Sequence, residues 1–150
     1  MYIDIRNNEC IFIHKVRGLT LFLSTPLKYH KIVLKHLPFT LHIFVRSTPM
    51  AIAKKLNGIK LKSQRFDKAD FEMSANAVAS THDLEYSLPG HYLIHFHQTD
   101  LNTIAHEVFH VVMWHNKYIG QKFNNGSEES YAYLFGYLIS EINELVKGSK

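Results

Sequence analysis

Residues 106–110 read His106-Glu107-Val108-Phe109-His110, and this run constrains the chain more than anything else in it. On an α-helix, positions i and i+4 lie one turn apart on the same face. Both imidazoles can therefore reach one divalent metal ion while Glu107 stands beside them as a base. With eleven histidines and eight glutamates in 150 residues, chance yields such a run on the order of 0.04 times, so the flanking residues must decide.

The flanks predict a strand that feeds this helix. Tyr92 to His97 alternates between two side-chain sets, and Asp100 or Thr99 is placed to cap the helix. Leu101, Ile104, Ala105, Val108, Val111 and Val112 then recur at helical spacing. His106, Glu107 and His110 fall mainly on another face, with Thr103 and Trp114, and the pattern ends near Gly120.

A catalytic zinc takes three protein ligands and keeps a fourth position for water. A metzincin would place the third ligand six residues after His110, with a glycine at the third; here those residues are Asn116 and Met113. His115 is one residue off that register and reads as a polar helix position. The alternative is a carboxylate from the next helix, at Glu128-Glu129-Ser130-Tyr131-Ala132-Tyr133. Asn124-Asn125-Gly126-Ser127 forms a turn with a capping residue, and Tyr131, Leu134, Phe135, Leu138, Ile142 and Leu145 make an apolar stripe running to Gly148. The plainer account of Glu128 and Glu129 is that they complement the positive end of the helix dipole. Ala132, Gly136 and Ser140 form a small-residue stripe that lets the helix approach a neighbour closely. Glu129 projects roughly 20° from that stripe and Glu128 roughly 80°. If the stripe packs on the metal helix, Glu129 is the ligand and Glu128 serves the helix end.

HExxH followed by 18 residues and a glutamate resembles the gluzincin branch of the zincin metallopeptidases, over about 45 residues from Tyr92 to Tyr137. It also resembles the short zincin-like proteins encoded by phages and mobile elements, in which a segment like Glu129-Ser130-Tyr131-Ala132-Tyr133 comes after the motif. The resemblance implies an α+β, zincin-like fold: a small mixed or antiparallel sheet, an active-site helix and a long C-terminal helix. It implies Zn²⁺ held by His106, His110 and Glu129, with Glu107 as general base. The sequence departs from thermolysin-like gluzincins four residues after Glu129, where Tyr133 replaces an acid, so the partner that orients a zinc histidine is unassigned.

The chemistry expected of such a site is metal-assisted hydrolysis of a peptide bond in a peptide or protein substrate. Tyr133 and Tyr137, one and two turns beyond Glu129, are candidate oxyanion donors, against the plainer reading of helical tyrosines as core. His91, His95 and His97 share one face of the preceding strand. They are expected either to face the cleft or to form the solvated face of an edge strand; His95-x-His97 is a weak hint of a second metal site.

The remainder reads as scaffold for a single domain over residues 1–150. Residues 2–6, 10–16 and 19–23 read as a β-meander joined at Asn7-Asn8 and Arg17-Gly18. Pro26 to Pro38 brackets an expected basic helix carrying Lys28, Lys31 and Lys35. Thr40 to Val45 reads as a strand, and Ser47-Thr48-Pro49 opens a helix that closes at Asn57-Gly58. One more strand is expected near Ala75 to Ser80. No stretch has the length and apolarity of a membrane span, the first residues lack a signal-peptide pattern, and Cys10 is alone; the expected location is the cytosol, a host's if the protein is phage-encoded.

Charge is uneven. Residues 1–70 hold 13 Lys/Arg against 4 Asp/Glu, and residues 71–150 hold 4 against 9. The basic charges are scattered across elements, which favours a solvated surface over nucleic-acid contact. Two readings result: a zinc peptidase, or a noncatalytic zincin-like binding or structural module that retains a zinc site. An intact Glu107 favours the enzyme, because structural zinc needs no base.

Overall fold

The computed structural model describes the backbone of residues 2–6, 9–16 and 19–26 and, with side chains, residues 28–59, 65–84 and 88–147. The fold is mixed α+β. Strands β1 (Tyr2–Arg6), β2 (Glu9–Val16) and β3 (Leu19–Pro26) form the expected antiparallel meander, with β3 three residues longer than the sequence implied. Its joints at Asn7-Asn8 and Arg17-Gly18 lie outside the described residues.

A second, four-stranded mixed sheet contains β4 (Lys28–Leu34), β5 (Phe39–Val45), β6 (Ala79–Asp83) and β7 (His91–Phe96) in the order β4-β5-β7-β6. The expected basic helix between Pro26 and Pro38 is instead β4. Lys28, Lys31 and Lys35 mimic helical spacing, but β-branched Ile32 and Val33 suit a strand, and β4 pairs antiparallel with β5 from Lys28↔Val45 to Leu34↔Phe39. Ile32 is buried while its neighbours Lys31 and Val33 are exposed, as the two-residue period of a strand requires.

β5 and β7 run parallel, so the chain between them must cross over the sheet. Helix α1 (Pro49–Asn57) begins that crossover: the Thr48 hydroxyl accepts from the Ala51 N–H at 3.2 Å and Pro49 occupies the first turn, as the sequence predicted. A 3₁₀ turn at Lys68–Phe71 comes next, capped by Asp67, and β6 forms four residues later than expected. Helix α2 (Leu101–Tyr118) starts at Asp100, whose Oδ1 accepts from the Thr103 N–H at 3.0 Å. Helix α3 (Glu128–Lys147) completes the described fold; the expected cap at Gly148 lies outside it.

Helices cover both faces of the second sheet. Leu41, Ile43, Tyr92, Ile94 and Phe96 pack against Ile104, Val108 and Val111 of α2 and Tyr131, Leu138 and Ile142 of α3. On the other face, Phe44 and Leu93 pack with Ile52 and Leu56 of α1, Phe71, Leu84 and Leu88. β7 is therefore buried along almost its whole length. Among the described residues, no helix is long and apolar enough to cross a membrane.

Gly90 admits the chain into β7 at φ +74°, where an added Cβ would sit 2.1 Å from the Pro38 carbonyl oxygen. Gly120, after α2, has the same φ but open space around it. Gly90→Ala should therefore destabilise by about 3 kcal/mol or more, and Gly120→Ala by about 1 kcal/mol. Urea denaturation midpoints of the two variants check this, and equal losses would contradict the backbone clash at Gly90.

Candidate metal centre

The apolar side of α2 is buried in the sheet, which leaves His106 exposed and His110 half-buried one turn apart. Their Nε2 atoms lie 3.2 Å from each other. Two imidazole nitrogens bound to one tetrahedral zinc at about 2.0–2.1 Å stand about 3.3–3.4 Å apart, so the pair fits a shared ion without repacking. The ring of His110 stacks on Trp114 at 5.8 Å between centroids, which fixes its orientation by packing.

Glu107 points to the other flank. Only 7% exposed, it accepts a hydrogen bond at Oε2 from the hydroxyl of Thr81 on β6. That bond ties one carboxylate oxygen to the edge of the sheet and aims the group along the flank of α2. Thr81 lies just past the strand expected from the sequence, which stops at Ser80, and no motif marks it.

The third donor is where structure and sequence diverge. Ala132, Gly136 and Ser140, the stripe expected to pack on α2, are all exposed, and a Cβ on Gly136 would meet nothing within 4 Å. The buried face of α3 is Tyr131, Leu138 and Ile142. Measured from that face, Glu129 projects roughly 160° away and Glu128 roughly 60°, which removes the argument that chose Glu129 over Glu128. Both carboxylates are exposed on the rim of an apolar groove of about 400 Å³ lined by Phe109, Met113, Phe123 and Phe135. Phe109 and Met113 flank His110, so the groove adjoins the pair. Among the described residues, no three His, Cys, Asp or Glu side chains converge on one point.

Tyr133 and Tyr137 are 75% and 44% exposed, on the side of α3 turned from its packed seam. The helix rotates to bury Tyr131, whose hydroxyl donates to the Gln121 carbonyl at 2.9 Å, and this leaves Tyr133 and Tyr137 on the same exposed side of α3 as Glu129. His115 is likewise no surface position: 1% exposed, it packs edge-on against Phe39 and Tyr92, on the side of α2 opposite His106.

The strand histidines also depart from expectation. β7 is an interior strand, and the face bearing His91 and His95 is the α1 side, opposite α2. On it, the Tyr29 hydroxyl lies 2.9 Å from His42 Nδ1, and His42 Nε2 lies 3.0 Å from His91 Nδ1. Burial pushes the His42 imidazole down to about 3, helped by the positive surroundings of His91, Lys31 and Lys55. Burial also lowers His95 to about 4, helped by His97, with the Ser47 backbone opposing. His82 is lowered by burial, against the opposing carboxylates of Asp70 and Glu107.

These shifts make stability depend on pH. A histidine held below its unfolded value stabilises the fold fully above that value, near 6.5, and loses the contribution as pH falls toward its folded value. For His42 the window runs from about 6.5 to about 3, and each such group contributes up to about 1.4 kcal/mol per pH unit within it. Urea denaturation between pH 7.5 and 4.5 should show stability falling with acid, and His42→Gln should shallow that slope by about one proton; an unchanged slope would contradict a neutral buried His42. Compared with known proteins, the chain matches no family model, no curated protein and no solved structure.

Proposed function

We propose that the protein is a zinc-dependent peptidase of zincin type, with His106 and His110 as ligands, a carboxylate from the head of α3 as the third, and Glu107 as general base. The single observation that carries this reading is the 3.2 Å approach of the two Nε2 atoms beside a buried glutamate. The 18-residue spacing after His110 is what favours Glu129 as the third donor, with Glu128 beside it on the same rim.

Bound zinc would supply a water acidified toward pH 7 and a polarised carbonyl. The rest falls to the chain. Glu107 Oε2 is held by Thr81, so Oε1 is the oxygen that takes the proton from water and passes it to the leaving amine. β6 is one of the two edge strands of its sheet and lies along α2, so its outer backbone groups can pair with an extended peptide. The apolar groove beside His110 offers a place for a large side chain of that peptide. The second reading, a noncatalytic module, draws on the exposure of Glu129 and the lack of a converged third ligand among the described residues.

Zinc content and cleavage separate the two. The protein should bind one equivalent of zinc, lost in His106→Ala and in Glu129→Ala and retained in Glu128→Ala; the reverse result for the two glutamates reassigns the ligand. Glu107→Gln should keep the zinc and lower peptide-library cleavage by about 10²–10⁴-fold. Zinc without any cleavage by the unaltered protein establishes the module, and no zinc binding at all defeats both readings. Thr81→Val should reduce turnover while leaving zinc content unchanged.

A further inference from the structure

Beside the start of α1 lies a cavity of about 440 Å³ whose lining includes Pro49, Phe71, Met73, His95 and His97. The side chain of His95 is 1% exposed, and neither of its ring nitrogens has a hydrogen-bond partner. Buried polar atoms without partners are rare, and each calls for an explanation. The neighbours do not supply one. The Ser47 backbone comes near the ring without reaching hydrogen-bond geometry. Ser80 pairs with His95 across the sheet, but its hydroxyl is engaged by His82 Nε2 at 3.1 Å. What does approach is a second imidazole: the His97 ring lies 4.7 Å away, centroid to centroid, tilted by 48°.

The geometry points to a second metal site, for a soft monovalent ion of the copper(I) class, held by the imidazoles of His95 and His97 and the thioether of Met73. His97 is the first residue after β7, and the chain leaving the strand keeps its ring beside that of His95. No carboxylate or thiolate lines the cavity among the described residues. Two imidazoles with a thioether form a neutral, soft donor set that matches a soft monocation. The site lies on the face of the sheet opposite His106 and His110, so it is independent of the catalytic proposal.

The test is a Cu(I) titration of the full chain, anaerobic and with reductant, against a chromophoric Cu(I) chelator. Cys10→Ser, His106→Ala and His110→Ala are introduced together to remove the free thiol and the α2 pair. One equivalent should bind in this background, with a sulfur scatterer in the X-ray absorption spectrum. His97→Ala, at an exposed position outside the core, should weaken binding about 100-fold, and Met73→Leu about tenfold with loss of the sulfur signal. Circular dichroism confirms that each variant is folded. Absence of Cu(I) binding in the background protein, or unchanged affinity in either variant, overturns the assignment.

Discussion

Everything in the second sheet depends on β7 being buried from both sides. Its parallel pairing with β5 forces a crossover; α1 and the 3₁₀ turn pack in that crossover against one face, and β6 joins the sheet beside β7. The chain leaving β7 then has the other face free, and α2 packs there through Ile104, Val108 and Val111 onto Ile94 and Phe96. Once those apolar contacts set the rotation of α2, the separate directions result from 100° per residue: His106 and His110 emerge outward, and Glu107, about 80° from their mean direction, turns toward the edge of the sheet. The imidazole pair is thus oriented by the core packing beneath it. Leu138 and Ile142 of α3 join the same core and hold the two helices side by side.

How much of this is legible in the sequence varies with the range of the forces involved. Local signals are plain. Thr48-Pro49 and Asp100 mark helix starts because a hydroxyl or carboxylate satisfies the free N–H groups there, and the HExxH run needs only helical periodicity to bring its histidines together. The strand β4 reads as a helix because three lysines at helical spacing outweigh two β-branched residues, and only the partner strand β5 decides between them. The direction of Glu129 misleads for a similar reason. A stripe of small residues offers close approach, but Tyr131, Leu138 and Ile142 bury far more apolar surface, and α3 turns that way instead. Thr81 cannot be found without knowing that β6 lies beside α2.

Histidine use divides along the sheet. On the α2 side, His106 and His110 stand at or near the surface, in contact with solvent. On the α1 side, His42 and His95 are sealed in, and burial keeps them uncharged at neutral pH. His42 offsets this cost by sharing bonds with Tyr29 and His91, while His95 has no such bonds. Two residues of one type, on adjacent strands of the same layer, are therefore in opposite states of satisfaction, and the contrast comes from the neighbours each one meets.

Trp114 is the sole tryptophan in the chain, and its indole lies flat against His110. The protein thus carries an intrinsic fluorophore in contact with the half-buried member of its imidazole pair. Light emitted by this one ring reports on the electronic surroundings of His110 directly, unmixed with signal from any other indole, so occupancy at α2 can be followed optically in the unlabelled molecule.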